Sequence, residues 1–146
     1  MCIRDSCTAL AEAIKHNSTI AELDLSGNEL GTGDCTALPE TIKHNSAITQ
    51  LSFSDNELSS GDCTALVEAI KLNSTITQLD FSWNKLGTGD CTALAEAIKY
   101  NSTLRKLNLS RNDFNADNVT TLAEASNRNS FITVEFYKPW RRFWWM

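Results

Sequence analysis

Large apolar residues recur along this chain on a fixed grid. The segments Ile20–Leu30, Ile48–Leu58, Ile76–Leu86 and Leu104–Phe114 each place them at positions one, four, six and eleven, with Asn at position nine. Inside a segment the pattern alternates. Leu79 and Phe81 are predicted to point inward, and Gln78, Asp80 and Ser82 outward, as on a half-buried strand. Between segments the spacing changes: Leu66, Ala69 and Ile70, and again Leu94, Ala97 and Ile98, sit at i, i+3 and i+4, one face of a helix. Asp62 and Asp90 precede these faces and are predicted to cap them. Asn73 and Asn101 follow and suit the left-handed residue that ends a helix. Pro39 falls within or just past the first turn of the second helix, which predicts a late or bent start there.

Strand and helix alternate through four units, 7–32, 33–60, 61–88 and 89–116, and the last two agree at 16 of 28 positions. A partial fifth unit begins at Asp117 and keeps step through Asn129-Ser130. The register then slips by one residue, so that Phe131, Val134 and Phe136 take the positions of Leu104, Leu107 and Leu109. The repeat region is therefore 7–136. Residues 1–6 do not match the repeat, and Met1–Asp5 resemble one reading frame of a sequencing adapter, which reads as an assembly artefact on a fragment. Residues 137–146, Tyr-Lys-Pro-Trp-Arg-Arg-Phe-Trp-Trp-Met, form a basic aromatic tail with three open readings. They are a terminal cap, an out-of-frame or truncated end, and a membrane or peptide contact.

Repetition dictates the architecture. Parallel strands stack about 4.8 Å apart, while the helices behind them need roughly 8–10 Å. The mismatch bends the stack into an arc with strands on the concave side and helices on the convex side. One unit buries too little apolar surface to offset the cost of ordering its backbone, so stacking must supply the rest. The expected fold class is α/β, a right-handed horseshoe solenoid.

The segment pattern L-x-x-L-x-L-x-x-N-x-L resembles a leucine-rich repeat. Its 28-residue length, with a helix in every unit, resembles the ribonuclease-inhibitor-like class. Leu94-Ala95-Glu96-Ala97-Ile98-Lys99-Tyr100-Asn101-Ser102-Thr103-Leu104 is also similar to the repeat arrays of NOD-like receptors. The resemblance implies a non-catalytic array that recognises a protein, here a fragment of a longer one in the cytoplasm. One departure is Gly89-Asp90, placed one residue earlier after the strand than in the usual ribonuclease-inhibitor unit. An alternative from another class is a regulator of a GTPase, as in the Ran GTPase-activating proteins that share this repeat class; Arg111 is the nominal residue for it. Partner identity, attached domains, oligomeric state and pathway are beyond what these residues specify.

Composition narrows the picture a little. The 146 residues are 42% hydrophobic and 21% charged, as in a globular chain, and no run reaches the length of a membrane span. The net charge of −5 divides into −7 over residues 1–73 (4 Lys/Arg, 11 Asp/Glu) and +2 over 74–146 (9 against 7). That division argues against a nucleic-acid face across the molecule.

Cys7, Cys35, Cys63 and Cys91 recur every 28 residues and so share one structural position. On neighbouring helices that position is too widely spaced for a disulfide, which needs Cα atoms within about 7 Å. The reading is small buried thiols in a reducing compartment. His16 and His44 occupy a position held elsewhere by Leu72 and Tyr100, without metal-ligand spacing, so neither a metal nor a small-molecule cofactor is expected. No nucleophile is brought to a base, so no catalytic residues are expected. The sequons at Asn17, Asn73, Asn101, Asn108 and Asn118 follow mostly from the repeated Asn-Ser-Thr.

Asn28, Asn56, Asn84 and Asn112 are expected to form a structural ladder, each bonding backbone of an adjacent unit. Binding should lie where the framework repeats but side chains vary. Trp83, beside Arg111 in the stack, sits in a row that elsewhere holds Gly27 and Asp55, and Trp and Arg are enriched in interface hot spots. Trp83, Lys85, Lys106 and Arg111, with Asp80 and Asn108, form the candidate protein-binding patch.

Overall fold

The computed structural model describes residues 3–30, 37–59 and 62–136. Helices and short strands alternate: α1 Ile3–Lys15, β1 Glu22–Asp24, α2 Ala37–His44, β2 Gln50–Ser52, α3 Asp62–Leu72, β3 Gln78–Asp80, α4 Thr88–Tyr100, β4 Lys106–Asn108, α5 Ala116–Arg128 and β5 Thr133–Glu135. The strands form one parallel sheet in chain order, and each helix packs on its neighbours in the same sequence. This is an α/β repeat solenoid. Strand pairing advances by one repeat each time, Leu23 to Leu51 to Leu79 to Leu107, because each apolar residue meets its own copy. The onset of the second helix lies next to residues 31–36, outside the described residues, as does the tail at 137–146. α1 already runs through Ile3–Asp5, part of the stretch read as lying outside the repeat.

The core is built of the same rows. Ile48, Ile76 and Leu104, then Leu58 and Leu86, then Leu38 and Leu94 are at most 2% exposed. Phe53 and Phe81 are fully buried and stack with ring centroids 5.7 Å apart. Ser82, expected outward, is buried at 5%, because the strand has ended at Asp80 and the turn folds back under its neighbours.

At the ends of β2, β3 and β4 an Asn joins two repeats. The Asn84 Nδ2 donates to the carbonyls of Phe53 and Phe81, both at 3.0 Å, and its Oδ1 accepts from the amides of Asn56 and Leu58 at 3.0 and 2.9 Å. Asn56 reaches Leu25 and Asn28 in the same way, and Asn112 reaches Phe81 and Leu86. Among the described residues Asn28 bonds only its own turn through Nδ2.

A second Asn column stands at the start of each strand. Asn101, expected to be left-handed, has φ −71° and ψ 130°, and Asn73 is not among the positive-φ residues. These residues do not end a helix by turning left. Their Nδ2 groups reach back to the preceding repeat, Asn73 to Ile42 at 2.8 Å and Asn101 to Ile70 at 3.1 Å. Their Oδ1 atoms accept from amides two and three residues ahead. Asn45 and Asn129 do the same. The extended backbone is needed to enter the strand, so the side chain closes the turn instead.

Other expectations are corrected locally. Asp90 is not the cap of α4: the helix begins earlier, Gly87 is the N-cap, and Asp90 Oδ2 accepts from the Gly87 amide at 3.2 Å. In α5 the reciprocal pair is Asn115 and Asn118. Cys63 and Cys91 are buried, but Cys7 is disulfide-bonded with a partner outside the described residues. The expectation of unbridged thiols throughout the row therefore fails at Cys7. The cysteine argument for a reducing compartment lapses with it.

The fifth repeat shows where the register slips. Thr133 pairs with Lys106 and Val134 with Leu107, one residue short of the usual step. Phe131 does not take the place of Leu104: it is 69% exposed, while Ile132 is buried at 7%. The dropped position is the counterpart of Arg105, whose guanidinium lies 5.3 Å from the Phe131 ring centre.

Candidate functional site

The strands β1, β2 and β3 leave the sheet through turns pinned to the next repeat. The amide of Asp55 donates to the Ser82 carbonyl and that of Trp83 to the Ser110 carbonyl, both at 3.0 Å. One row of residues in these turns has a left-handed backbone, with φ of 72° at Gly27, 56° at Asp55, 57° at Trp83 and 61° at Arg111. Glycine takes that conformation freely, whereas a residue with Cβ pays roughly 1–2 kcal/mol. Trp83 nevertheless sits there, 56% exposed, with the Arg111 guanidinium 4.5 Å from its ring centre. That distance is a cation–π contact, worth about 0.5–1 kcal/mol at an exposed site. Lys85 is exposed two residues on, its amide fixed to the Leu58 carbonyl at 2.8 Å. Trp83, Lys85 and Arg111 thus share a ridge along the strand ends.

Lys106, Asp80 and Asn108 belong to a different surface. With Glu22, Asp24 and Glu135 they line a concavity of about 430 Å³ that runs across all five strands. Lys106 Nζ is 3.3 Å from Glu135 Oε1, and Gln50 donates to Glu22 at 3.3 Å. One row here also has a structural task. Oδ1 of Asp24, Asp80 and Asn108 accepts from the amide two residues ahead, at 2.9, 2.8 and 3.0 Å. Hydrogen bonds from the Ser26 hydroxyl and then its amide hold the Asp24 carboxyl below the usual aspartate range. The six residues of the candidate patch therefore divide between the ridge and the trough.

The entry side of the sheet carries exposed apolar groups that the candidate patch did not include. Leu72 and Tyr100 are 60% and 64% exposed, and Lys99 lies 4.9 Å from the Tyr100 ring centre. The only signal was the variability of the row that begins with His16 and His44, whose rings lie beside Glu12 and Glu40 at 3.7 and 3.1 Å. Burial pushes the Cys91 thiol up, away from reactivity, against a smaller opposing effect of Asn118. Among the described residues no group of three or more His, Cys, Asp or Glu could hold a metal ion, and no helix is long and apolar enough to cross a membrane.

Comparison with known proteins bears on the fold. The family model described as a leucine-rich repeat matches residues 16–38, 72–95 and 100–123, so the chain carries leucine-rich repeats. No curated protein matches it. Among solved structures it is similar to leiomodin-1 actin-binding site 2, with a TM-score of 0.81 at 17% identity over 95% of this chain and 82% of that one. It is also similar to the tropomodulin C-terminal domain of Caenorhabditis elegans, with a TM-score of 0.73 at 13% identity over 93% and 83% of the two chains. At these identities the likeness is one of fold.

Proposed function

We propose that the chain is a non-catalytic protein-recognition module, a piece of a longer repeat array of the ribonuclease-inhibitor-like class. Its partner is read by the ridge around Trp83 and Arg111, with Lys85 beside them and Lys106, Asp80 and Asn108 in the adjoining trough. One observation carries this reading: a half-exposed Trp is kept in a left-handed row where the first repeat has Gly27. Strained backbone is retained mostly where a side chain has a task beyond folding. The GTPase-regulating alternative has no observation in its favour, since the Arg111 guanidinium lies over Trp83.

Actin is the first partner to test, because the leiomodin-1 fragment is named for an actin-binding site. Co-sedimentation with filaments and titration of labelled monomers would measure the affinity. Trp83→Ala and Arg111→Ala should each weaken partner binding about 30-fold, the size of a hot-spot loss. Unchanged affinity in both variants would remove the ridge from the reading. If actin does not bind, a photo-crosslinker at position 83 is compared with one at Glu12 on α1. Equal yields from both positions with a purified partner would count against the ridge.

A further inference from the structure

We propose that the outer flank of the first repeat, formed by α1 and β1, is a docking face for one further leucine-rich repeat. The inference rests on the reading of the chain as part of a longer array and adds what the joining unit must present.

The molecule itself shows three times what covers such a flank. Ile20 is 40% exposed, while its counterparts Ile48, Ile76 and Leu104 are 1%, 2% and 1% exposed beneath the preceding repeat. Leu23 is only partly buried, where Leu51, Leu79 and Leu107 are at most 4% exposed. The polar columns point the same way. Asn56 and Asn84 donate through Nδ2 to a carbonyl in the repeat before them, and accept through Oδ1 from amides there. Asn28 has neither inter-repeat bond among the described residues; its Nδ2 turns to Leu25 and Ser26. Asn45 Nδ2 likewise reaches Ile14, and among the described residues Asn17 has only its acceptor bonds. An apolar row and two amide columns therefore end on this flank.

Charge selects the occupant. On adjacent strands Glu22 accepts from Gln50, and Lys106 pairs with Glu135. The strand that joins β1 should accordingly bring a Lys, Arg or amide residue opposite Glu22, and an apolar one opposite Leu23. A second copy of this chain fits less well. In the same register its β5 would set Glu135 against Asp24, and like charges directly opposite each other are destabilising.

The test extends the full chain. A copy of residues 89–116 is fused ahead of Asp5 in place of the first four residues, which keeps the 28-residue step and sets the added lysine opposite Glu22. The extended chain should unfold about 5 °C or more higher. Hydrogen exchange of the β1 amides should slow by at least about tenfold, as β1 ceases to be an edge. Lys→Glu at the added lysine should lose part of the gain. Unchanged unfolding and unchanged β1 exchange would overturn the proposal. So would failure to fold when either 89–116 or 61–88 supplies the unit. Concentration-dependent self-association of the original chain, abolished by Ile20→Lys, would assign the flank to a second copy instead. Partner binding through Trp83 is measured separately, so a failed extension leaves the ridge reading standing.

Discussion

Where the chain enters each strand, Asn45, Asn73, Asn101 and Asn129 tie one repeat to the one before; where it leaves, Asn56, Asn84 and Asn112 do the same. Both edges face the same difficulty, backbone groups that turn away from the sheet and still need partners. Both meet it with an amide, which offers donor and acceptor together. They differ in the residue beside the amide. At entry it is a Ser in every repeat, and the backbone stays extended. At exit it is Gly, Asp, Trp or Arg in a left-handed turn. The comparison separates a position that the stack dictates from one where it dictates only the backbone and leaves the side chain open to selection.

The largest expected effect tests whether the edges are equivalent. Asn84→Ala removes the side-chain partner of three carbonyls and two amides in the core, and should cost about 2–4 kcal/mol in denaturant unfolding. Asn73→Ala should cost nearly as much; a loss under about 1 kcal/mol would break the parallel. Next comes the slip at the last repeat. Ile132→Ala should destabilise by about 2 kcal/mol and Phe131→Ala by about 0.5 or less, and the reverse order would restore the original register.

The exit row itself is tested by a pair of variants. Trp83→Gly should be about 1 kcal/mol more stable than Trp83→Ala, opposite to the order of these residues within helices or strands. An Ala variant as stable as the Gly variant would mean that the turn relaxes. The smallest effect is acid sensitivity at Asp24. Its folded carboxyl is held below the usual value of 3.8, so its contribution is present above that value and fades as pH falls through the lowered one. Ser26→Ala should flatten that acid limb in a urea titration, by little, because the site is exposed and screened.

How much of this was legible follows from locality. The alternation at Leu79 and Phe81 and the helical face at Leu66 and Ile70 are short-range patterns, and they place strand, helix and core directly. The entry column was misread because an Asn before a Ser looks like a helix terminus. Its actual partners, such as Ile42 for Asn73, lie about one repeat upstream. The left-handed row had a single clue, Gly27, since Asp, Trp and Arg disguise it elsewhere. The candidate patch grouped side chains by variability. Variability does not distinguish the ridge from the trough, nor show that Asp80 and Asn108 each use an oxygen to close a turn. Phe131 was assigned inward by carrying the one-residue slip back to the start of the segment, whereas the slip falls after Ile132.

The entry column also bears on how the protein is made. Asn73 and Asn101 head Asn-Ser-Thr sequons, yet both are about 5% exposed or less, and their amide nitrogens are spent on the preceding repeat. A sugar attached there would occupy the nitrogen that closes the stack. A chain passed through a eukaryotic secretory route would be decorated before it folds, and should then be retained as misfolded. Thr75→Ala with Thr103→Ala would remove both acceptors and spare the two asparagines, giving a simple check on recovered yield.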